Sequence, residues 1–345
     1  MKVLHVLNSR VYSGAEKVVS QIIHSFEETD VRMVYCSPES DMVREMLARQ
    51  NIRYHSIPSL TPQNLKAVIR EEQPDLIHAH DMRAGFVSAL CCGRIPMVSH
   101  IHNNAFDARG LSVKSIAYLL AGWKARHILW VSQSAYEGYV FHKLFEKKSS
   151  VLRNIIDVRE VQEKKEQDSN TYHYDLIYVG RLTQEKNPQR LMRLCAQMKQ
   201  RRKNLKAAVV GSGELEGELK ALCRELDIVD NVDFLGFQSN PMKMIHDSKV
   251  LILTSYWEGT PMCVLEAMAL GTPVVSTSSD GMQDLITNGV NGYLSNEDRE
   301  LAEYVLRIVE DGDLRRRLSA NALKRAAADN DPENYQNAIR AVYHI

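Results

Sequence analysis

At 345 residues the chain is longer than one hydrophobic core comfortably organises, and two domains are the expected division. Hydrophobic side chains make up 44% and charged ones 25%, a globular composition, and no apolar run approaches the roughly 20 residues of a membrane span. Lys+Arg and Asp+Glu both total 43, so no net field draws the protein to a polyanion, and nucleic acid is not an expected partner.

In chain order, short apolar β-branched runs alternate with amphipathic segments of helical length, the pattern of parallel sheets covered on both faces. The first half predicts strands near 2–7, 31–36, 52–57, 75–79, 96–101, 127–131 and 149–152. Helices are predicted over 16–26, 41–50, 63–72, 84–92, 113–124 and 135–145. The polar stretch 157–173 has almost no apolar anchors and reads as a linker. The pattern restarts with strands at 176–179, 205–210, 231–235, 249–254, 273–277 and 292–294, with helices over 188–202, 299–310 and 314–327. Asp331-Pro332 opens a last helical segment to Ile345. The expected division is 1–170, joined by 332–345, and 171–331. The fold class is α/β, two doubly wound parallel-sheet domains facing across a cleft, with ligands at the carboxyl ends of strands.

Six cysteines (Cys36, Cys91, Cys92, Cys195, Cys223, Cys263) form no CxxC pair and read as reduced core thiols, which points to a reducing, cytoplasmic setting. Met1-Lys2 runs straight into a strand pattern too short and too alternating for a signal peptide.

The sharpest chemical signal lies after the strand at 249–254. Glu258, Gly259, Thr260, Pro261, Met262 and Cys263 lead into an apolar helix carrying Glu266 and ending at Gly271. Thr260 is suited to cap that helix and Pro261 to occupy its first turn. Free amides at such a start favour phosphate or a sugar hydroxyl. Glu266 is placed to accept two hydroxyls of a ribose, and Glu258 those of a second sugar. A solvated helix position is the alternative for Glu266.

A second signal is Gly180-Arg181-Leu182 with Lys186, between a strand and a helix. Two cations there can converge on a diphosphate, each contact worth about 1.5–3 kcal/mol. Gly211 and Gly213 form a tight strand-to-helix turn that permits close backbone approach, or is turn chemistry alone. Phe237 and Gln238 end another strand, where they frame a flat base or simply pack.

In the first half, Gly14 starts the first helix without a full GxGxxG. Nine of the twelve histidines precede 157–173. His78/His80 and His100/His102 alternate along strands, so each pair shares a face. A dinuclear metal site is one reading, but no HxxxH with acidic partners supports it. His102 is the preferred functional histidine, and the others read as hydrogen-bonded structural residues. The stretch 114–126, apolar with Lys114, Lys124 and Arg126, reads either as a membrane-surface helix or as a core helix.

Taken together, Glu258 and Glu266 (an EX7E element), Gly180-Arg181-Leu182, Lys186 and Asn154-Ile155-Ile156-Asp157 resemble glycosyltransferase family 4, of the GT-B fold, across nearly the whole chain. The resemblance implies a retaining, metal-independent transfer from a nucleotide-diphosphate sugar, UDP at family level, to a saccharide or lipid-linked saccharide acceptor in cell-surface polysaccharide synthesis. No cofactor is implied, and peripheral membrane contact is possible for such acceptors. It implies that Arg181 and Lys186 hold the diphosphate and Glu266 the ribose. Glu258, with the amides of Gly259, Thr260 and Met262, would hold the transferred sugar and phosphate. Gly14 would touch phosphate or acceptor, and His102 resembles the histidine beside the donor sugar. Ser13, Asn187 and Ile155 stand where the family has glycine. A nucleotide-sugar 2-epimerase and a catalytically silent partner subunit are the alternatives on the same fold.

Overall fold

The structure, a computed structural model, describes residues 1–102, 108–279 and 281–345. The chain divides into two compact units, Met1–Ile155 with Pro332–Ile345, and Ile156–Asp331.

The first unit is built on β1 (Lys2–Val6), β2 (Arg32–Pro38), β3 (Tyr54–Ile57), β4 (Leu76–His80), β5 (Met97–Ile101), β6 (His127–Trp130) and β7 (Ser149–Val151). They form one sheet in the order β3-β2-β1-β4-β5-β6-β7, paired in parallel throughout. Parallel strands need crossover helices, which cover both faces and explain the near-continuous apolar runs of the central strands. The chain steps outward from β1 to β3, then returns to the other side of β1 with β4. That reversal opens a crevice at the carboxyl ends of β1 and β4.

The second unit repeats the plan with β8 (Leu176–Val179), β9 (Ala207–Val210), β10 (Val232–Gly236), β11 (Leu251–Leu253), β12 (Val274–Ser276) and β13 (Gly292–Leu294). Their order is β10-β9-β8-β11-β12-β13, again all parallel. Here the reversal lies between β8 and β11.

Two sequence expectations are corrected. The stretch read as a linker contains a helix, Val158–Glu166, that belongs to the second unit, so the division falls at Ile155/Ile156 and not at 170/171. Asp157 caps it by accepting from the backbone N–H of Arg159 and Glu160, and only Val161 is buried. Tertiary hydrogen bonds hold the rest: Gln162 donates to the Ala269 carbonyl at 2.8 Å and Asn240 to that of Lys164 at 2.7 Å. The helix expected over 135–145 is instead a short α-helix, Gln133–Glu137, followed by a 3-10 segment, His142–Lys148.

The helix Val113–Lys124 buries one face in the first unit, as the core-helix reading expects, and leaves the other exposed. Ser115, Tyr118, Ala121 and Gly122 are buried, while Val113 is 88% and Trp123 64% exposed. Among the described residues no helix is long and apolar enough to cross a membrane. The last helix, Pro332–Tyr343, packs within the first unit, where Ile339 and Tyr343 are buried.

Candidate functional site

The carboxyl ends of β8 and β11 carry the two sharpest sequence signals, and the sheet order makes these strands neighbours. After β8 the chain runs through Gly180–Leu182 and a 3-10 turn, Gln184–Lys186, into the helix Pro188–Arg201. Tyr178 Oη donates to the Arg181 carbonyl at 2.8 Å, pinning the turn from below. Burial and the Glu258 charge push the Tyr178 phenol well above its usual range, so it stays protonated for that role. Asn187 sits at φ +47°, a left-handed conformation that asparagine tolerates, which accounts for its standing where glycine is usual.

Gly211 and Gly213 permit a close approach of protein backbone. A Cβ on Gly211 would lie 1.9 Å from the Gly180 carbonyl oxygen, and one on Gly213 would lie 2.3 Å from that of Leu182. Their turn braces the Arg181 loop from behind.

After β11 the second loop is stitched to the first. Thr254 Oγ1 donates to the Asn187 carbonyl at 2.9 Å, and the Tyr256 N–H to that of Glu185 at 3.0 Å. From β12, Thr277 Oγ1 donates to the Ser255 carbonyl at 2.6 Å. These bonds bring Lys186 Nζ to 2.8 and 2.7 Å from the two oxygens of Glu258, which also accepts from Ser255 Oγ at 2.6 Å. Glu258 is only 5% exposed, and the ammonium and the hydroxyl take the place of water around its carboxyl group. Arg181 turns to Glu185 at 2.7 Å instead. Each cation therefore has its own carboxylate, and an entering anion must compete with Glu185 for Arg181.

The following helix spans Met262–Ala269, with Pro261 at the capping position, so Thr260 does not cap it. Glu266 is 4% exposed, which removes the solvated-helix alternative. Thr260 and Met262 are buried and Cys263 partly so. Gly281 supports the loop from the far side, since a Cβ there would fall 1.4 Å from the Gly259 carbonyl oxygen. Phe237 is 42% exposed and so is not a core ring, while Gln238 donates back to the Leu235 carbonyl.

In the first unit, Gly14 has open space where a Cβ would stand, and Ser13 before it is extended at φ −136°, which asks for no glycine. The histidines form one object. His5 faces His78 across β1/β4, His80 faces His100 across β4/β5, and each step of two keeps the rings on one face. His80 Nδ1 lies 2.8 Å from His102 Nε2, His80 Nε2 3.0 Å from His5 Nδ1, and His78 Nδ1 2.7 Å from Tyr343 Oη. His100 has no hydrogen-bond partner on either nitrogen among the described residues, contrary to its reading as a hydrogen-bonded structural histidine. Burial holds all five rings neutral, with His5 and His102 pushed down to about 3.

Sequence reasoning missed three features here. Asp81, at the carboxyl end of β4, has a left-handed backbone at φ +74° and a carboxyl raised to about 6 by burial. Strain of this kind concentrates at functional positions. Ser255 and Gly281 are the others, and nothing in their local sequence singles them out. For Asp81 the available signal was an acid directly after a strand-end histidine.

The family model described as Glycosyl transferases group 1 matches residues 160–325, and that described as Glycosyltransferase Family 4 matches residues 12–160. The uncharacterized glycosyltransferase MJ1059 of Methanocaldococcus jannaschii is 26% identical over 312 residues, covering 75% of this chain and 77% of that protein. An N-acetylgalactosamine-N,N'-diacetylbacillosaminyl-diphospho-undecaprenol 4-alpha-N-acetylgalactosaminyltransferase of Campylobacter jejuni is 30% identical over 197 residues, covering 56% of this chain and 53% of that protein. Among solved structures, Anabaena Alr3699/HepE in complex with UDP-glucose superposes with a TM-score of 0.85 at 23% identity, covering 100% of this chain and 99% of that one.

Proposed function

The chain belongs to glycosyltransferase family 4 and is a glycosyltransferase of the GT-B fold, and on that premise we propose that it takes a sugar from a UDP-sugar and transfers it, with retention of configuration, to a saccharide or lipid-linked saccharide in cell-surface polysaccharide synthesis. The observation that carries this reading is the Lys186–Glu258 pair, set at the β8/β11 crevice beside the start of the helix that buries Glu266. Arg181 and Lys186 bind the diphosphate, Glu266 binds the ribose, and Glu258 with the amides of Gly259, Thr260 and Met262 receives the sugar and phosphate. His102 acts in transfer and not in nucleotide binding. Support for the UDP donor comes from the UDP-glucose bound by the Anabaena structure, and for a lipid-linked acceptor from the name of the Campylobacter relative.

Retention requires no side-chain nucleophile in this scheme. The bond from the sugar's anomeric carbon to the leaving phosphate breaks, the acceptor oxygen bonds to the same face, and its proton passes to the departing phosphate oxygen. Fixed cations and helix-start amides stabilise that developing charge without a metal at the diphosphate.

The test is a panel of nucleotide sugars read by thermal stabilisation. The true donor at a hundredfold excess over its Kd adds about 2.7 kcal/mol of stability. Glu266→Ala and Arg181→Ala are expected to weaken nucleotide binding measured by calorimetry. Unchanged affinity in both sinks the assignment, and an epimer formed from donor alone points to the 2-epimerase instead.

We also assign the exposed Val113, Ile116 and Trp123, flanked by exposed Lys114 and Lys124, to a surface of anionic lipid. The chain is expected to float with vesicles containing anionic phospholipid, and Ile116→Glu with Trp123→Glu to abolish flotation. Equal flotation of the double variant removes this surface from consideration.

A further inference from the structure

The stacked histidines of the first unit have a hydrogen-bond polarity that one atom decides. Met33 Sδ lies 3.3 Å from His5 Nε2, and a thioether only accepts, so Nε2 carries the proton on His5. His5 Nδ1 is then a lone pair and must accept from His80 Nε2–H at 3.0 Å. His80 Nδ1 is in turn a lone pair, accepting from His102 Nε2–H at 2.8 Å. The chain of protons ends at His102 Nδ1, which is buried and has no hydrogen-bond partner among the described residues. Beside it, the His100 ring lies 4.1 Å from that of His102, centroid to centroid, with both its nitrogens buried and unmatched. A buried polar nitrogen without a partner is costly, and native interiors keep such groups for a reason, a bound ion among them.

We propose that His80, His100 and His102 form a binding site for a divalent transition-metal ion of the zinc type. Each offers one ring nitrogen, and the three atoms lie within 4.8 Å of one another. The ion takes the place of the proton between His80 Nδ1 and His102 Nε2. The His102 proton moves to Nδ1, so the ring remains neutral and no proton is lost. Zinc–nitrogen bonds of about 2.0–2.1 Å require the 2.8 Å gap to open by roughly half an ångström.

The far nitrogen of His80 already has its acceptor. A ligating histidine characteristically donates its other N–H to a fixed acceptor, and His80 does so to His5, which is itself anchored on Met33. His102, less buried than His80 and His100, is the side of entry. The site lies in the first unit and shares only His102 with the proposed transfer, while none of its ligands belongs to the proposed nucleotide-binding set, so its failure leaves the nucleotide assignment untouched.

The experiment titrates the full chain, carrying no histidine tag, with cobalt chloride and follows the visible absorption, with zinc chloride as competitor. One equivalent of cobalt per chain is expected, with the strong absorption of a low-coordinate ion, bleached by zinc. His100→Ala should lower the affinity by more than tenfold, and Met33→Leu, which touches only the acceptor behind His5, by about tenfold. Exposed His24→Ala and His246→Ala should leave both stoichiometry and spectrum unchanged. Circular dichroism checks the fold of each variant, and where His100→Ala does not fold, Met33→Leu decides. An absence of stoichiometric cobalt, or binding unaltered in the folded variants, overturns the site.

Discussion

Lys186→Met is expected to destabilise the second unit by about 3 kcal/mol and to cut transfer at least about a hundredfold. The bidentate pair joins a lysine 19% exposed to a glutamate 5% exposed, so removing the ammonium takes the counter-ion from a buried carboxylate that then keeps the Ser255 hydroxyl. Removing one member of a buried pair costs about 3–5 kcal/mol, and the partial exposure of Lys186 places this case at the lower end. Glu258→Gln should cost less, because the freed ammonium can turn to solvent. Combining the two should restore most of the stability while transfer stays lost, since no buried charge is then left uncompensated but the diphosphate has lost one of its two cations. Denaturant midpoints at constant slope give the first quantity, and turnover with the best donor gives the second. A loss below about 0.5 kcal/mol for Lys186→Met would make this an ordinary surface ion pair.

Gly281→Ala is the second large effect expected, and it acts without touching any charged group. Its Cβ would fall 1.4 Å from the Gly259 carbonyl oxygen and 3.2 Å from that of Glu258, and both are backbone atoms that cannot swing aside. The Glu258–Thr260 loop must therefore move by more than an ångström. Misplacement on that scale costs about a hundredfold in rate, and nucleotide affinity should fall with it. Gly14→Ala is the matched control for stability, because nothing lies within 4 Å of its added methyl. Gly281→Ala with wild-type affinity and rate would show that the loop's position does not matter to the site.

Much of this architecture was legible because buried parallel strands leave a strong local mark. Leu176–Val179 and Ala207–Val210 are short apolar runs, each preceded by a charged residue and followed by a glycine. Misreadings arose where structure is held by distant partners. The helix Val158–Glu166 buries one residue and depends on Gln162 reaching Ala269, and on Asn240 reaching Lys164. Its own composition is that of a linker. The glycines at 211 and 213 announced a close approach, but which backbone approaches them, Gly180–Leu182, is a property of the sheet. The paired histidines on β4 and β5 were visible as alternations; their union with His5 required β1 to lie between β2 and β4.

By itself the sequence determined the kinds of group available for chemistry: two glutamates eight residues apart around a helix start, and a cation pair after a strand. Periodicity also settled the α/β character, helices on both faces of a sheet, since it is a property of neighbours along the chain. Only the tertiary structure decided that Lys186 meets Glu258, 72 residues away, and that Arg181 turns to Glu185 instead. The physical reason lies in strand order. Parallel pairing is made by backbone hydrogen bonds between segments that any apolar run can supply, so local pattern cannot choose β11 as the neighbour of β8. Burial of whole helices on both faces makes that choice, and with it the crevice where the charges meet.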